Sequence, residues 1–176
     1  METKEKLKLN LGCRNRSIPG FKGMDIDQHE SVDIVGDISD LSQFGGGSVS
    51  EIYASHVLEH FPHPLTVSVL VEWNRVLENG GILYVAVPDF KRAVEIYNKM
   101  GLQDWIVNQL YGDQGYETAF HYTGFDFNRM SHILKLAGFK ELSQVGTFPI
   151  GNERDCSRNV SSIDGKSVSL NIIAVK

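Results

Sequence analysis

Leu7, Leu9 and Leu11 alternate with Lys8 and Asn10, a period of two that predicts a strand. Shorter apolar stretches at 21–26, 32–35 and 52–55 predict three more, the last entered from a glycine-rich turn at 45–50. Residues 82–87 form an unbroken apolar run between a Gly-Gly pair and Pro88, as expected of a strand buried on both faces of a parallel sheet. Between these last two the period changes. Val69, Leu70, Trp73, Val76 and Leu77 make one apolar helical stripe, with Pro64 suited to the first turn and Gly80 to the position after the end. A later helix starts with Asp126 as N-cap, buries Met130, Ile133, Leu134 and Ala137, and stops at Gly138. Residues 93–100 and 102–111 carry further helical patterns, and 141–148 and 168–175 read as a closing pair of strands. Strands alternating with helices, then a strand pair, predict an α/β layered sheet.

Composition adds exclusions. The chain has 176 residues, enough for one domain with its own core, and no linker or repeat divides 1–176. Apolar residues at 41% and charged residues at 22% exclude a disordered, collagenous or disulfide-scaffold chain. Seventeen basic against twenty-two acidic residues give a net charge of −5, without the footprint of a nucleic-acid or anionic-membrane binder. No apolar run approaches the ~20 residues of a membrane span. The opening METKEKLKLN interleaves charge and has no signal core. Cys13 and Cys156 form no framework. The expectation is a cytoplasmic protein with reduced thiols.

The candidate chemistry lies at strand ends, because open α/β sheets bind ligands beyond the carboxyl edge of their strands. Gly12 ends the first strand, where a side chain would block close approach. A dinucleotide fingerprint would need G-x-G-x-x-G there, and only Gly12 is present. Asp25 ends the second strand, where a carboxylate can accept from both hydroxyls of a ribose. Asp37 ends the third, where a carboxylate can accept from an adenine amino group with Ile38 against the ring. Each residue alone reads as an ordinary turn; three consecutive strand ends in this order point to a nucleoside.

The segments LNLGCRNRSIPGFKGMDID, GDISDL, YASHVLEHF, RVLENGGILYVAVPDF, HYTGF and LKLAGF resemble class I S-adenosylmethionine-dependent methyltransferases, in particular the small methyltransferase-domain proteins grouped with UbiE. The resemblance runs from about Leu7 to Phe148. It implies a Rossmann-like three-layer sandwich with a seven-stranded, mostly parallel sheet whose last strand is antiparallel. It implies S-adenosylmethionine as cofactor, with Gly12 and Cys13 lining its methionine end, Asp25 holding the ribose, and Asp37 with Ile38 at the adenine; Asn10, Arg14 and Ile26 are counted with these as cofactor-binding residues. Ser55 and His56 would close the pocket near the sulfonium. The reaction implied is methyl transfer to oxygen or nitrogen of a small-molecule or sugar-like acceptor. The rival reading is the same fold as a non-catalytic cofactor-binding module or partner subunit.

Three departures from the pattern bear on that choice. Asn10 stands where the family carries an acid, and Arg14 where it carries a second glycine. The stretch before Phe21 is short and contains Pro19, so the first helix is cut to a turn or two. Arg14 or Arg16 could replace the missing helix N-terminus by pairing with the cofactor carboxylate; alternatively Arg14 fills the pocket. Residues 89–125 would form a lid or acceptor region rich in aromatics. Within it, Asp89 and His121 are candidates to face the substrate, with an N-cap as the plainer role for Asp89. A base for a hydroxyl or amine acceptor would be His56 or His121. His56, Glu59, His60 and His63 also make H-x-x-E-H-x-x-H, which on a continuous helix could hold a metal. Pro62 and Pro64 break such a helix, so these residues are read as pocket lining and no metal is assigned.

Overall fold

The computed structural model describes residues 6–150 and 165–176. Cys156 and nearly all of the polar stretch 152–165 fall outside the described residues.

Among the described residues, seven strands form one sheet: β1 (Leu7–Leu11), β2 (Lys22–Asp25), β3 (Ile34–Val35), β4 (Val49–Ser55), β5 (Leu77–Pro88), β6 (Glu141–Val145) and β7 (Ser169–Val175), in the order β3-β2-β1-β4-β5-β7-β6. Neighbours from β3 to β5 are parallel, while β7 is antiparallel to both β5 and β6. β7 alone therefore runs against the rest, the Rossmann-like arrangement the resemblance implies. The order also locates the ligand edge. The chain leaves β1 toward β2 and β3 on one side, then returns to place β4 and β5 on the other. That reversal opens a crevice between the carboxyl ends of β1 and β4.

One face of the sheet is covered by α1 (Thr66–Val76) and α4 (Phe127–Leu136). Val69, Leu70, Trp73 and Val76 are buried on α1, and Met130, Ile133 and Leu134 on α4, as the apolar stripes predict. Asp126 caps α4 by accepting from the Arg129 N–H at 2.8 Å. The opposite face carries a smaller cluster. Phe148 makes edge contacts with Tyr53 and Tyr84 at ring-centroid distances of 5.8 and 5.6 Å, and Ile18 from the β1–β2 connection packs with them. That connection contains turns only, so the shortened first helix reduces to none.

Two boundaries differ from the pattern. α1 ends at Val76 because Leu77, fully buried, turns extended and pairs with Val49 as the first residue of β5. Gly80 therefore lies inside β5, at φ +76°, and does not terminate the helix. Pro64 sits in a 3₁₀ turn (His63–Leu65) just before α1, not in its first turn. Beyond β5, α2 (Phe90–Met100) and α3 (Asp104–Tyr111) pack on each other through Ala93, Ile96 and Ile106. Among the described residues, no helix is long and apolar enough to cross a membrane.

Candidate functional site

At the crevice, loops from four successive strands surround a cavity of about 350 Å³. Gly12 and Arg14 follow β1; Asp25, Ile26 and Asp27 come from the end of β2; Asp37 and Ile38 follow β3; His56 and Val57 follow β4. The far wall is His60, Phe61 and, from the segment after α3, Tyr116, Glu117, Thr118 and Tyr122.

Gly12 sits at φ +66°, and a Cβ built there would lie 2.4 Å from Val57 Cγ2. Its N–H donates to the Met24 carbonyl at 2.8 Å, which ties the first loop to β2. Arg14 and His56 also have positive φ, 44° and 55°. Non-glycine residues in that region are uncommon and persist where surrounding contacts hold them. For Arg14 the contact is its N–H donating to Asp25 Oδ2 at 2.8 Å. For His56 it is an N–H bond to the Ala86 carbonyl at 2.8 Å.

Asp25 is buried, and its other oxygen accepts from the Asp27 N–H at 3.2 Å. Both carboxylate oxygens keep accepting capacity toward the cavity, since each has two lone-pair sites. Asp37 Oδ1 accepts from the Ser39 N–H at 2.8 Å and the Ser39 hydroxyl at 2.7 Å, leaving Oδ2 for another donor. Ile38 is buried, and its carbonyl is held by the buried Trp73 Nε1–H at 2.8 Å, so α1 fixes this wall. Ile26 lies 55% exposed at the cavity edge, an apolar shelf. The Arg14 guanidinium reaches across to the far wall, donates to the Tyr116 hydroxyl and stacks on that ring at 4.6 Å.

His56 is held at both ring nitrogens. Nε2 contacts Ser169 Oγ at 2.8 Å and Nδ1 stands 3.2 Å from Glu59 Oε1. Glu59 is fully buried. Burial alone pushes its carboxyl up, but the neighbouring His56, with His60 behind it, outweighs that and holds it below the usual carboxylate range.

The other sequence candidates stand apart from the cavity. Asn10 is buried and gives its amide to the Arg16 carbonyl at 2.7 Å. Cys13 turns its sulfur toward the Ser31 carbonyl, and burial, reinforced by Asp25, pushes its thiol up to about 11. Ser55 is buried behind the lining. Asp89 takes the N-cap of α2, accepting from the Arg92 N–H at 3.3 Å, and burial raises its carboxyl. His121 contacts the Gln109 carbonyl through Nδ1 at 3.0 Å, and its ring meets His60 edge-on at 4.8 Å. Burial lowers its affinity for a second proton. His63 contacts Arg129, so the four-residue H-x-x-E-H-x-x-H set is not one cluster. Asp27, Val57, Phe61, Glu117 and Thr118 are lining residues that the sequence reading did not single out. Asp27 had a visible signal as the second acid of Asp25-Ile26-Asp27; Glu117 and Thr118 reach the site only through the path of the segment after α3.

Residues 21–85 match the family model of a methyltransferase domain. A comparison with curated proteins found no match. Among solved structures, an S-adenosylmethionine-dependent methyltransferase from Archaeoglobus fulgidus superposes with a TM-score of 0.62 at 13% identity, over 97% of this chain and 86% of that one. One from Methanosarcina mazei gives 0.58 at 20% identity, over 98% and 93%. The 1,6-didemethyltoxoflavin N1-methyltransferase of Burkholderia thailandensis, solved with its substrate and S-adenosylhomocysteine, gives 0.58 at 12% identity, over 97% and 70%.

Proposed function

We propose that this chain, a methyltransferase-domain sequence on the class I methyltransferase fold, binds S-adenosylmethionine in the cavity beyond β1–β4 and methylates oxygen or nitrogen of a small-molecule or sugar-like acceptor. The observation that carries this is the convergence of Gly12, Asp25, Asp37 and His56, one from each of four successive strand ends, on a single cavity.

The residues fit the cofactor part by part. Asp25 has accepting capacity for a ribose diol, as acids at this strand end do. Ile26 and Ile38 offer apolar faces for a base, with Asp37 Oδ2 for its amino group. Arg14 supplies a fixed cation for the methionine carboxylate, and its reach to Tyr116 links cofactor binding to the lid. Bound there, S-adenosylmethionine supplies an electrophilic methyl group.

For transfer, the protein's main contribution is alignment of the acceptor, which the enclosing wall of His60, Phe61, Tyr116 and Tyr122 supports. A hydroxyl acceptor must also lose a proton, and His56, which lines the cavity beyond β4, is the candidate base. Glu59 beside Nδ1 favours the tautomer with its proton there, which leaves the lone pair on Nε2. The Ser169 hydroxyl occupies that lone pair and would exchange with the acceptor. Asp89 and His121 do not line the cavity, which argues against either as the base.

The test is calorimetric titration with S-adenosylmethionine and S-adenosylhomocysteine for wild type and Asp25→Ala. We expect micromolar binding in wild type, weakened at least about 100-fold in the variant as charge-assisted hydrogen bonds are lost. Absence of binding by wild type refutes the reading. Binding without methyl transfer to any of a panel of hydroxyl and amine acceptors favours the non-catalytic module.

A further inference from the structure

Beside the cavity wall lies a cluster to which the methyl-transfer reading gives only supporting parts: Glu59 orients His56 and His60 lines the wall. Glu59 sits in a 3₁₀ turn (Leu58–His60) and is fully buried, yet neither carboxylate oxygen accepts a hydrogen bond of good geometry from a described residue. A buried carboxylate in that condition needs a cation facing it. His56 Nδ1, at ion-pair distance, is on one side. On the other are His60 and His121.

Both of these rings are oriented in the same way. His60 Nδ1 lies 3.0 Å from the Phe120 carbonyl, and His121 Nδ1 lies 3.0 Å from the Gln109 carbonyl. A carbonyl only accepts, so each Nδ1 carries a proton, and in the neutral ring the lone pair is then on Nε2. Metal-ligating histidines are held in this manner, with one nitrogen bonded to a backbone carbonyl and the other free to ligate. One ligand atom from each of Glu59, His60 and His121 lies within 4.8 Å of the other two. The segments are also pinned together. The Tyr122 and Thr123 N–H groups donate to the Glu59 carbonyl at 2.8 and 3.3 Å, and Thr123 Oγ1 donates to the Phe61 carbonyl at 2.9 Å.

We propose that Glu59, His60 and His121 bind one divalent transition-metal ion of the Zn²⁺ class. Two neutral imidazoles and one carboxylate suit such ions, whereas Mg²⁺ and Ca²⁺ prefer oxygen alone. Three protein ligands leave coordination open, and His60 places the site at the cavity wall. The metal site stands independently of the cofactor. In so far as the methyltransferase reading also holds, it favours an acceptor that offers an oxygen to the metal.

The test uses full-length protein stripped with a chelator, titrated with Zn²⁺ and dialysed for metal analysis. We expect one Zn²⁺ per chain, displaced by Co²⁺ and not by Mg²⁺. Glu59→Gln and His121→Ala should each weaken binding at least about 100-fold, more than the effect of an outer-sphere change. His132→Ala and Cys156→Ser should leave it unchanged. His121→Ala keeps the proposal testable if the buried Glu59→Gln fails to fold. Less than one ion per chain, binding that survives both ligand substitutions, or binding lost with Cys156→Ser would each overturn it. Binding of S-adenosylhomocysteine by the same stripped protein is measured separately, so failure of either reading leaves the other visible.

Discussion

Replacing Gly12 with alanine should destabilise the protein for two separable reasons. The first is backbone conformation: at φ +66° an L-residue costs roughly 1–2 kcal/mol relative to glycine. The second is collision. The new Cβ would sit 2.4 Å from Val57 Cγ2 and 3.1 Å from Cγ1, so rotation of Val57 about χ1 relieves one contact by worsening another. Val57 is buried in the main core, so its displacement carries an overpacking cost of about 1–3 kcal/mol. The total is about 2–5 kcal/mol. Val57→Ala alone loses buried methyl groups, about 2 kcal/mol. In the double variant the nearest remaining Val57 atom is Cβ at 3.4 Å, an ordinary contact, so the collision vanishes and only the backbone cost remains. Urea unfolding of the four proteins gives the coupling directly. We expect the double variant to be more stable than the sum of the singles by about 1–3 kcal/mol. Additivity within about 0.5 kcal/mol would refute the claim that Gly12 is required by close packing of the two strand ends.

Two further outcomes follow from the same geometry. Trp73→Phe leaves the buried Ile38 carbonyl without its donor, which should cost about 1–3 kcal/mol in denaturant unfolding and also weaken S-adenosylhomocysteine binding, because Ile38 lines the cavity; unchanged stability would contradict the assignment. Cys13 has its thiol raised from 9.0 to about 11, so the folded state holds the proton more tightly than the unfolded one. Its contribution is complete below pH 9 and lost as pH rises through 11, a change of about 2.7 kcal/mol at most. The stability gap between wild type and Cys13→Ala, both in a Cys156→Ala background, should therefore shrink across that window; a constant gap would show that Cys13 ionises as it does when unfolded.

Much of the fold is legible because its signals are local. The alternation at Leu7–Leu11 and the stripe Val69-Leu70-Trp73-Val76 each state a period, and the structure buries the predicted faces. The end of α1 is the instructive exception. Leu77 continues the helical stripe and Gly80 is a plausible stop, yet Leu77 pairs with Val49 and Gly80 becomes part of β5. A buried leucine satisfies either element equally, so the boundary is decided by a strand nearly thirty positions away, which no local period encodes.

The site divides along the same line. Gly12, Asp25 and Asp37 are readable because a parallel sheet delivers successive strand ends to one edge, whatever the loops do. The histidines are not, because their partners are set by where the chain after α3 crosses back. H-x-x-E-H-x-x-H suggests four ligands in a row, but His63 turns to Arg129 and His121 joins Glu59 and His60. That exchange follows from pinning: Tyr122 and Thr123 bond the Glu59 backbone, so the residue just before them has to lie against His60. The same crossing brings Tyr116 onto Arg14 and Tyr122 onto the cavity wall. The segment after α3, the buried carboxylate and the far wall of the cavity are therefore one structural unit. A substitution that frees the 119–123 segment, such as Thr123→Val with its lost bond to the Phe61 carbonyl, should weaken Zn²⁺ and S-adenosylhomocysteine binding together in parallel titrations. Loss of one with the other intact would show that the two sites are mechanically independent.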